Sequence, residues 1–389
     1  MTVPGPVVGV VGASVRAAAV SLARAGYPAW GVDLFADRDL VRVAPAACCP
    51  VGDYPHGLPG LADRFPPGPV VYTGGLENHP DVVAALAARR LLWGNPPAVL
   101  ETARDPRFPA RVWPRTDLPL LCPRVLPGCA TPPSGTWLLK PRRSAGGYGI
   151  VPYHPADPPR APETHYLQEF VPGTPVSALF CAVGGDAPLL GITEQLVGEP
   201  WLHARRFHYA GNVGPIDLPH RVRFSVEEFG RRAAAEAGLV GLFGIDFLLA
   251  AGAAYPVEIN PRYTASAEVL EFATGRAVMS DHAVGCGGPP GRRPAAGNAT
   301  GPVVGKAVYY APRPIAFPAT GPWDDRGRPF DPWVLPAHAD IPAAGAAIEP
   351  GWPVLTVFAS GSTPAEVRGR LQSRAADLDR LFATAEGRA

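Results

Sequence analysis

Lysine is almost missing from this chain. Of its 35 basic residues only Lys140 and Lys306 are lysine, and the other 33 are arginine. A mutational preference for Arg codons, which also enriches Ala, Gly and Pro, accounts for the skew. Each surviving lysine is therefore a position to inspect, since a compact ammonium and a planar guanidinium do different chemistry. Charge of one sign is missing too: 34 acidic residues leave a net charge of +1, and no basic run occurs. Nucleic-acid binding is excluded on that balance. No stretch of about 18 apolar residues is free of charge or proline, so no membrane span is expected. Met1 to Gly5 carry no positive charge, and Arg16 and Arg24 interrupt the apolar segment that follows, which argues against a signal peptide. The six cysteines form no C-x-x-C pair and no zinc spacing, so reduced thiols and a cytoplasmic location are expected. Neither G-x-G-x-x-G nor the P-loop G-K-[ST] is present.

What is present is 389 residues, 47% of them hydrophobic, with 50 Pro and 44 Gly separating periodic segments. That length suits two or three domains. The first hundred residues alternate strand and helix: a strand over 6–11, a helix over 15–25 capped by Ser14 and ended by Gly26, a strand over 29–34, a strand over 70–73, and a helix over 81–92. This βαβ texture implies a parallel, Rossmann-like sheet over residues 1–98. A helical stretch near 97–104 and a Pro-rich segment lead to strands over 136–140, 150–153 and 166–171. Ser225 to Glu228 reads as a capping box opening a helix to Ala237, and a β-hairpin follows over 243–260. A Gly/Pro-rich linker over 285–302 precedes a β-rich extension with strands near 303–310 and 353–359. Its last helix opens at the capping box Thr363-Pro364-Ala365-Glu366.

Two constellations carry chemistry. In the hairpin, Ile245, Phe247 and Leu249 share one strand face with Asp246 on the other; on the second strand Val257 and Ile259 point inward, Glu258 and Asn260 outward. A turn centred on Gly252 puts Asp246 opposite Glu258, with Cβ atoms roughly 5 Å apart, where like charges repel. A divalent cation resolves that conflict, and oxygen ligands from Asp246, Glu258 and Asn260 suit Mg²⁺ or Mn²⁺; two solvated carboxylates are the plainer alternative. The second constellation runs from Leu138 through Lys140, Arg142, Arg143, Ser144, Gly146, Gly147 and Gly149 to Ile150. Its glycines free backbone N–H groups to turn toward an anion, and Lys140 adds a point charge at the strand end. A plain hairpin turn is the alternative.

In this order and spacing, with Tyr166 to Gly173 between them, these pieces resemble the ATP-grasp superfamily over about 140–262. More closely, the chain looks like the ATP-dependent carboligases related to biotin carboxylase. The resemblance implies a mixed α/β and α+β architecture: a Rossmann-like domain (1–98), an ATP-grasp domain (99–284) with a β-rich lid near 136–172, and a β-rich C-terminal extension (285–389). It implies ATP and Mg²⁺ (or Mn²⁺) as cofactors. Lys140 would contact the phosphates, with Ser144, Gly146, Gly147 and Gly149 in the lid loop over them. Gln168, Glu169, Phe170 and Val171 would hold adenine and ribose, and Asp246, Glu258 and Asn260 the metal. Arg262, with Lys140, would serve catalysis at the transferring phosphoryl group. The implied activity is ligation of a small-molecule carboxylate to an amine through an acyl phosphate, of a kind suited to cofactor biosynthesis. No nucleic-acid or membrane partner is implied, and a homodimer stays open. The alternatives are a biotin-carboxylase-like enzyme, for which the chain lacks the Ala-Met-Lys-Met carrier signal, and a silent nucleotide binder. The loops 75–79 and 207–212 are acceptor-site candidates, with a polar turn the alternative for each. One departure stands out: relatives carry an earlier lysine, and here only Arg104, Arg107 or Arg111 can replace it.

Overall fold

The apolar tetrad Val8–Val11 forms the inner strand of a parallel four-stranded sheet ordered Ala46–Cys48, Ala29–Asp33, Val8–Val11, Val70–Tyr72. A computed structural model describes residues 5–114, 117–292, 301–324 and 329–385 of the chain. The expected alternation of strand and helix is present, with two local corrections. The helix Arg16–Arg24 is not capped by Ser14; instead Asp33, at the end of the next strand, accepts a 3.0 Å bond from the Val15 N–H. The helix expected over 81–92 is Pro80–Ala87, because residues 91–93 return to the sheet edge, where Leu92 bridges Val70.

The hairpin belongs to an eight-stranded antiparallel sheet ordered Ala253–Asn260, Gly241–Ala250, Thr174–Ala182, Leu189–Val197, Tyr209–Gly214, Val303–Tyr310, Pro353–Gly361, His338–Ala339. The strands of the C-terminal segment therefore extend the sheet that carries Asp246. One face packs on the helix His220–Ala237, through Phe229 and Ala233 against Phe180, Phe243 and Phe247. That helix begins five residues before Ser225, after extended Pro219, so Ser225 is no cap: its hydroxyl donates back to the Arg221 carbonyl at 2.8 Å. A third, smaller sheet, ordered Val125–Pro127, His165–Glu169, Trp137–Pro141, Val151–Pro152, stands over the hairpin. Most of the 285–302 linker lies outside the described residues. Among the described residues, no helix is long and apolar enough to cross a membrane.

Buried ion pairs join these parts. Arg16 donates to Glu268 and, at 2.9 Å, to Asp340; Lys306 donates to Glu268 at 3.1 Å. Eight residues along the same helix, Arg24 pairs with Glu271, which also accepts from Ser21 at 2.6 Å. Helix Arg16–Arg24 is thus fastened to helix Ala265–Thr274, which lies against the large sheet. Lys306, without a role in the sequence reading, is a buried structural cation. Removing one partner of a buried pair leaves its counter-charges uncompensated. Glu268→Gln should accordingly lower stability by about 3–5 kcal/mol in urea unfolding; a loss under about 1 kcal/mol would refute this role.

Candidate active site

The hairpin turns through Ala251 and Gly252, both at positive φ (+48° and +75°), the conformation that matches strand twist in two-residue turns. From such a turn the strands would pair symmetrically about its midpoint, which does not oppose Asp246 to Glu258. A bulge opposite the Asp246–Phe247 step, with Val257 as the extra residue, shifts the register, and beyond it Asp246 faces Glu258 and Gly244 faces Asn260. The expected juxtaposition is present, reached by a different route. Val257, expected inward, is half-buried at the bulge and lines the cavity above the sheet.

The two carboxylates are held differently. Asp246 accepts from Gln195 Nε2 at 2.9 Å and Asn260 Nδ2 at 3.0 Å, both neutral amides. Enclosure by protein and the facing Glu258 push its carboxyl up to about 6, against the pull of Ser177, Arg262 and Asn260. Glu258 meets cations. Burial opposes its charge, but Arg104, which donates directly to it, and then Lys140 hold it below the usual carboxylate range.

Lys140 leaves its strand beside Gln168, to which its ammonium donates at 3.0 Å, with the Tyr166 ring 5.7 Å away. The glycine loop after it folds down over the hairpin. Gly146, Gly147 and Gly149 all adopt positive φ, and a Cβ on Gly147 would lie 1.9 Å from the Phe207 carbonyl oxygen. The Gly146 carbonyl accepts from Tyr209 N–H at 3.0 Å. The Ser144 carbonyl accepts from Asn78 Nδ2 at 3.0 Å and Arg104 Nη2 at 3.2 Å, while the Ser144 hydroxyl turns back to Tyr148. Beneath the loop lies a cavity of about 40 Å³ lined by Arg104, Lys140, Ser144, Tyr166 and Glu258. That is room for about one water molecule.

The parallel-sheet unit closes the other side. Its short 3₁₀ turn Leu76–Asn78 buries Glu77, which accepts from Arg262 Nη2 at 2.6 Å; Arg262 also donates to Asn260 Oδ1 at 3.2 Å. Burial raises the Glu77 carboxyl, yet Arg262 overcomes this and holds it low. The second Glu77 oxygen and the Nε atoms of Arg104 and Arg262 are buried without a hydrogen-bond partner. Such unsatisfied groups are uncommon in folded proteins, and three around one place mark a site.

The structure thus brings together Lys140, the loop 144–149, Gln168, Asp246, Glu258, Asn260 and Arg262. It does not bring in Glu169, whose carboxylate is taken by Arg124 at 2.9 Å on the outer edge of the small sheet; Phe170 and Val171 follow it, half-buried. Of the three arginines offered for the missing lysine, only Arg104 enters; Arg107 and Arg111 are exposed. The pairings of Arg104 with Glu258 and of Glu77 with Arg262 were not foreseen, nor was Gln195; Glu77 and Asn78 themselves lie in the loop 75–79 named as an acceptor-site candidate. The one available signal was Glu77-Asn78 inside an otherwise apolar and glycine-rich turn.

A sequence model of the ATP-grasp domain matches residues 120–266, which span the glycine loop and the hairpin. Among curated proteins, no match to the sequence is found. Three solved structures show the fold. Biotin carboxylase from Campylobacter jejuni superposes with a TM-score of 0.64 at 13% identity, over 93% of this chain and 89% of that one. L-amino acid ligase from Bacillus licheniformis gives 0.67 at 14%, over 97% and 98%. N5-carboxyaminoimidazole ribonucleotide synthetase from Thermus thermophilus gives 0.62 at 16%, over 92% and 95%.

The raised carboxyl of Asp246 makes a pH prediction. Its folded value of about 6 exceeds the ordinary 3.8, so between these pH values the native state holds the proton more tightly than the unfolded chain. The contribution of Asp246 to stability is then most favourable below pH ~4 and falls as pH rises through ~6, by on the order of 3 kcal/mol. Comparing urea midpoints of the metal-free protein and Asp246→Asn from pH 4.5 to 7.5 reads this directly. The variant should gain on the parent as pH rises, and parallel profiles would refute the shift.

Proposed function

We propose that this chain, which carries an ATP-grasp domain, is an ATP- and Mg²⁺-dependent ligase that activates a substrate carboxylate as an acyl phosphate and passes the acyl group to an amine. The observation that carries this is the opposed Asp246–Glu258 pair beneath a glycine loop that starts from Lys140. The residues fit a hard divalent cation: the Asp246 and Glu258 carboxylates face each other, one of them raised to about 6 by confinement and the other's charge, and the Asn260 amide beside them, whose nitrogen donates to Asp246, would turn its oxygen to the ion. Asp246, Glu258 and Asn260 would hold Mg²⁺ (or Mn²⁺). When bound, such an ion neutralises charge on phosphate oxygens.

The chain's own residues supply the rest. Lys140 and Arg104 present positive charge to the polyphosphate, and the backbone N–H groups of 144–149 cover it. Gln168, with the backbone of Phe170 and Val171, would line the base and ribose. The carboxylate oxygen of the substrate bonds to the γ-phosphorus as the bond to the bridging oxygen breaks, releasing ADP. Arg262, anchored by Glu77, would stabilise the transferring group. The amine nitrogen then attacks the acyl carbon, phosphate leaves, and an amide forms. A 40 Å³ cavity cannot hold a nucleotide, so the loop lifts to admit ATP and closes again to exclude water from the acyl phosphate.

A second reading, carboxylation through activated bicarbonate, is favoured by the likeness in fold to biotin carboxylase. One screen separates the two: ADP release by the purified chain against paired carboxylates and amines, with bicarbonate as a separate arm. Stimulation by a carboxylate–amine pair is expected, and release that no pair stimulates would sink the ligase reading. Glu258→Gln should cut Mg²⁺-dependent release by on the order of 100-fold while leaving the circular dichroism spectrum intact; undiminished turnover would remove Glu258 from the metal site. Arg104→Ala should raise KM for ATP far more than Arg107→Ala, and equal effects would remove Arg104 from the phosphate site.

A further inference from the structure

A second group of metal-type donors lies outside this site. His56, His79 and Asp81 come from two segments of the parallel-sheet unit, and their donor atoms all lie within 4.8 Å of one another. His56 Nε2 is 3.1 Å from Asp81 Oδ2, and the two imidazoles stand nearly perpendicular with centroids 6.0 Å apart. Tetrahedral coordination at ordinary metal–nitrogen lengths separates donors by about 3.3 Å, so a side-chain swing of about 1 Å completes the geometry.

The backbone behind each donor is fixed. His56 sits in a turn closed by Gly57 N–H to the Asp53 carbonyl at 2.7 Å, followed at once by the helix Leu58–Ala62. His79 joins the 3₁₀ turn Leu76–Asn78 to the helix Pro80–Ala87: its N–H donates to Leu76 at 2.9 Å, and its carbonyl accepts from Val82 at 3.0 Å. The start of that helix is unfavourable to a cation, which the Asp81 carboxylate offsets. Two imidazoles and one carboxylate select borderline first-row ions over Mg²⁺.

We propose that His56, His79 and Asp81 form a second cation site, which takes a borderline divalent ion such as Zn²⁺ or Co²⁺ with water in the remaining position. The ion would staple the 53–57 turn to the residue that follows Glu77 and Asn78, the side chains that hold Arg262 and the Ser144 carbonyl. The surface site therefore bears on the geometry of the first site without sharing a ligand with it.

The test uses the full-length, untagged chain in excess Mg²⁺, titrated with Co²⁺ and followed by visible absorption. One equivalent of Co²⁺ should bind with the d–d bands of low coordination number and without the near-ultraviolet band of a thiolate ligand. His56→Ala and Asp81→Asn change exposed side chains and should leave the circular dichroism spectrum unchanged. Each should weaken Co²⁺ binding by at least the roughly 10–100-fold that loss of even an outer-shell partner costs. Thermal stabilisation by Zn²⁺ should disappear in the same variants. Equal Co²⁺ affinity in parent and variants, a thiolate band, or no binding under these conditions would overturn the proposal.

Discussion

Two carboxylates facing each other across neighbouring strands are the constraint around which this molecule is arranged. Asp246 and Glu258 cannot both be charged at little cost in a protein-enclosed place. The surrounding groups resolve the conflict by treating the two unequally. Glu258 receives cations, Arg104 directly and Lys140 through space, and stays an anion. Asp246 receives neutral amide donors from Gln195 and Asn260, which do not offset burial and the Glu258 charge, and its carboxyl rises. Carboxylates driven apart in this way take distinct roles in a site. Here Glu258 is held as the charged partner, and Asp246 is the carboxyl displaced toward the protonated form.

The parallel-sheet unit matters because it holds the positive side chains from behind. Arg262 donates to Asn260 and to the Tyr263 carbonyl, and its ion-pair partner is Glu77, delivered from a turn 185 residues away in the chain. Arg104 is held by Asn78 of the same turn. The turn in turn depends on how the parallel sheet sits against the large one. That placement runs through Arg16 with Glu268 and Asp340, and Arg24 with Glu271. Buried ion pairs add little net stability over apolar packing of the same volume. What they add here is direction, since an arginine fork satisfied at fixed acceptors admits few alternative dockings of one helix on the other.

Local pattern was enough to read much of this from sequence. The alternation of Ile245, Phe247 and Leu249 with Asp246, and the turn glycine at 252, gave the carboxylate pair, although the bulge that completes the register leaves no mark in the sequence. Lys140 stood out because the chain has so little lysine. The caps at Ser14 and Ser225 were misread for one reason. A cap depends on where the preceding chain goes, and Asp33 reached the first helix from another strand, while Pro219 opened the other helix early. The pairings that build the site, Arg104 with Asn78, Gln195 with Asp246 and Glu77 with Arg262, act across separations of 26 to 185 residues, where no spacing rule operates. The same limit applies to the partner of Glu169: Arg124, 45 residues earlier, engages its carboxylate.

The arginine in place of the upstream lysine changes more than the identity of a cation. An ammonium would give Glu258 one compact charge with freely rotating donors. Arg104 instead spreads a rigid fork over Glu258, the Ile259 carbonyl, Asn78 and the Ser144 carbonyl. These acceptors belong to three separate parts of the molecule: the hairpin, the turn of the parallel-sheet unit, and the glycine loop. Whatever draws the guanidinium toward a phosphate must therefore loosen its hold on the Ser144 carbonyl, and with it one of the bonds that keep the loop down. On the proposed reading, phosphate contact and loop position share a side chain, a coupling that a lysine at the same place could not make in so many directions at once.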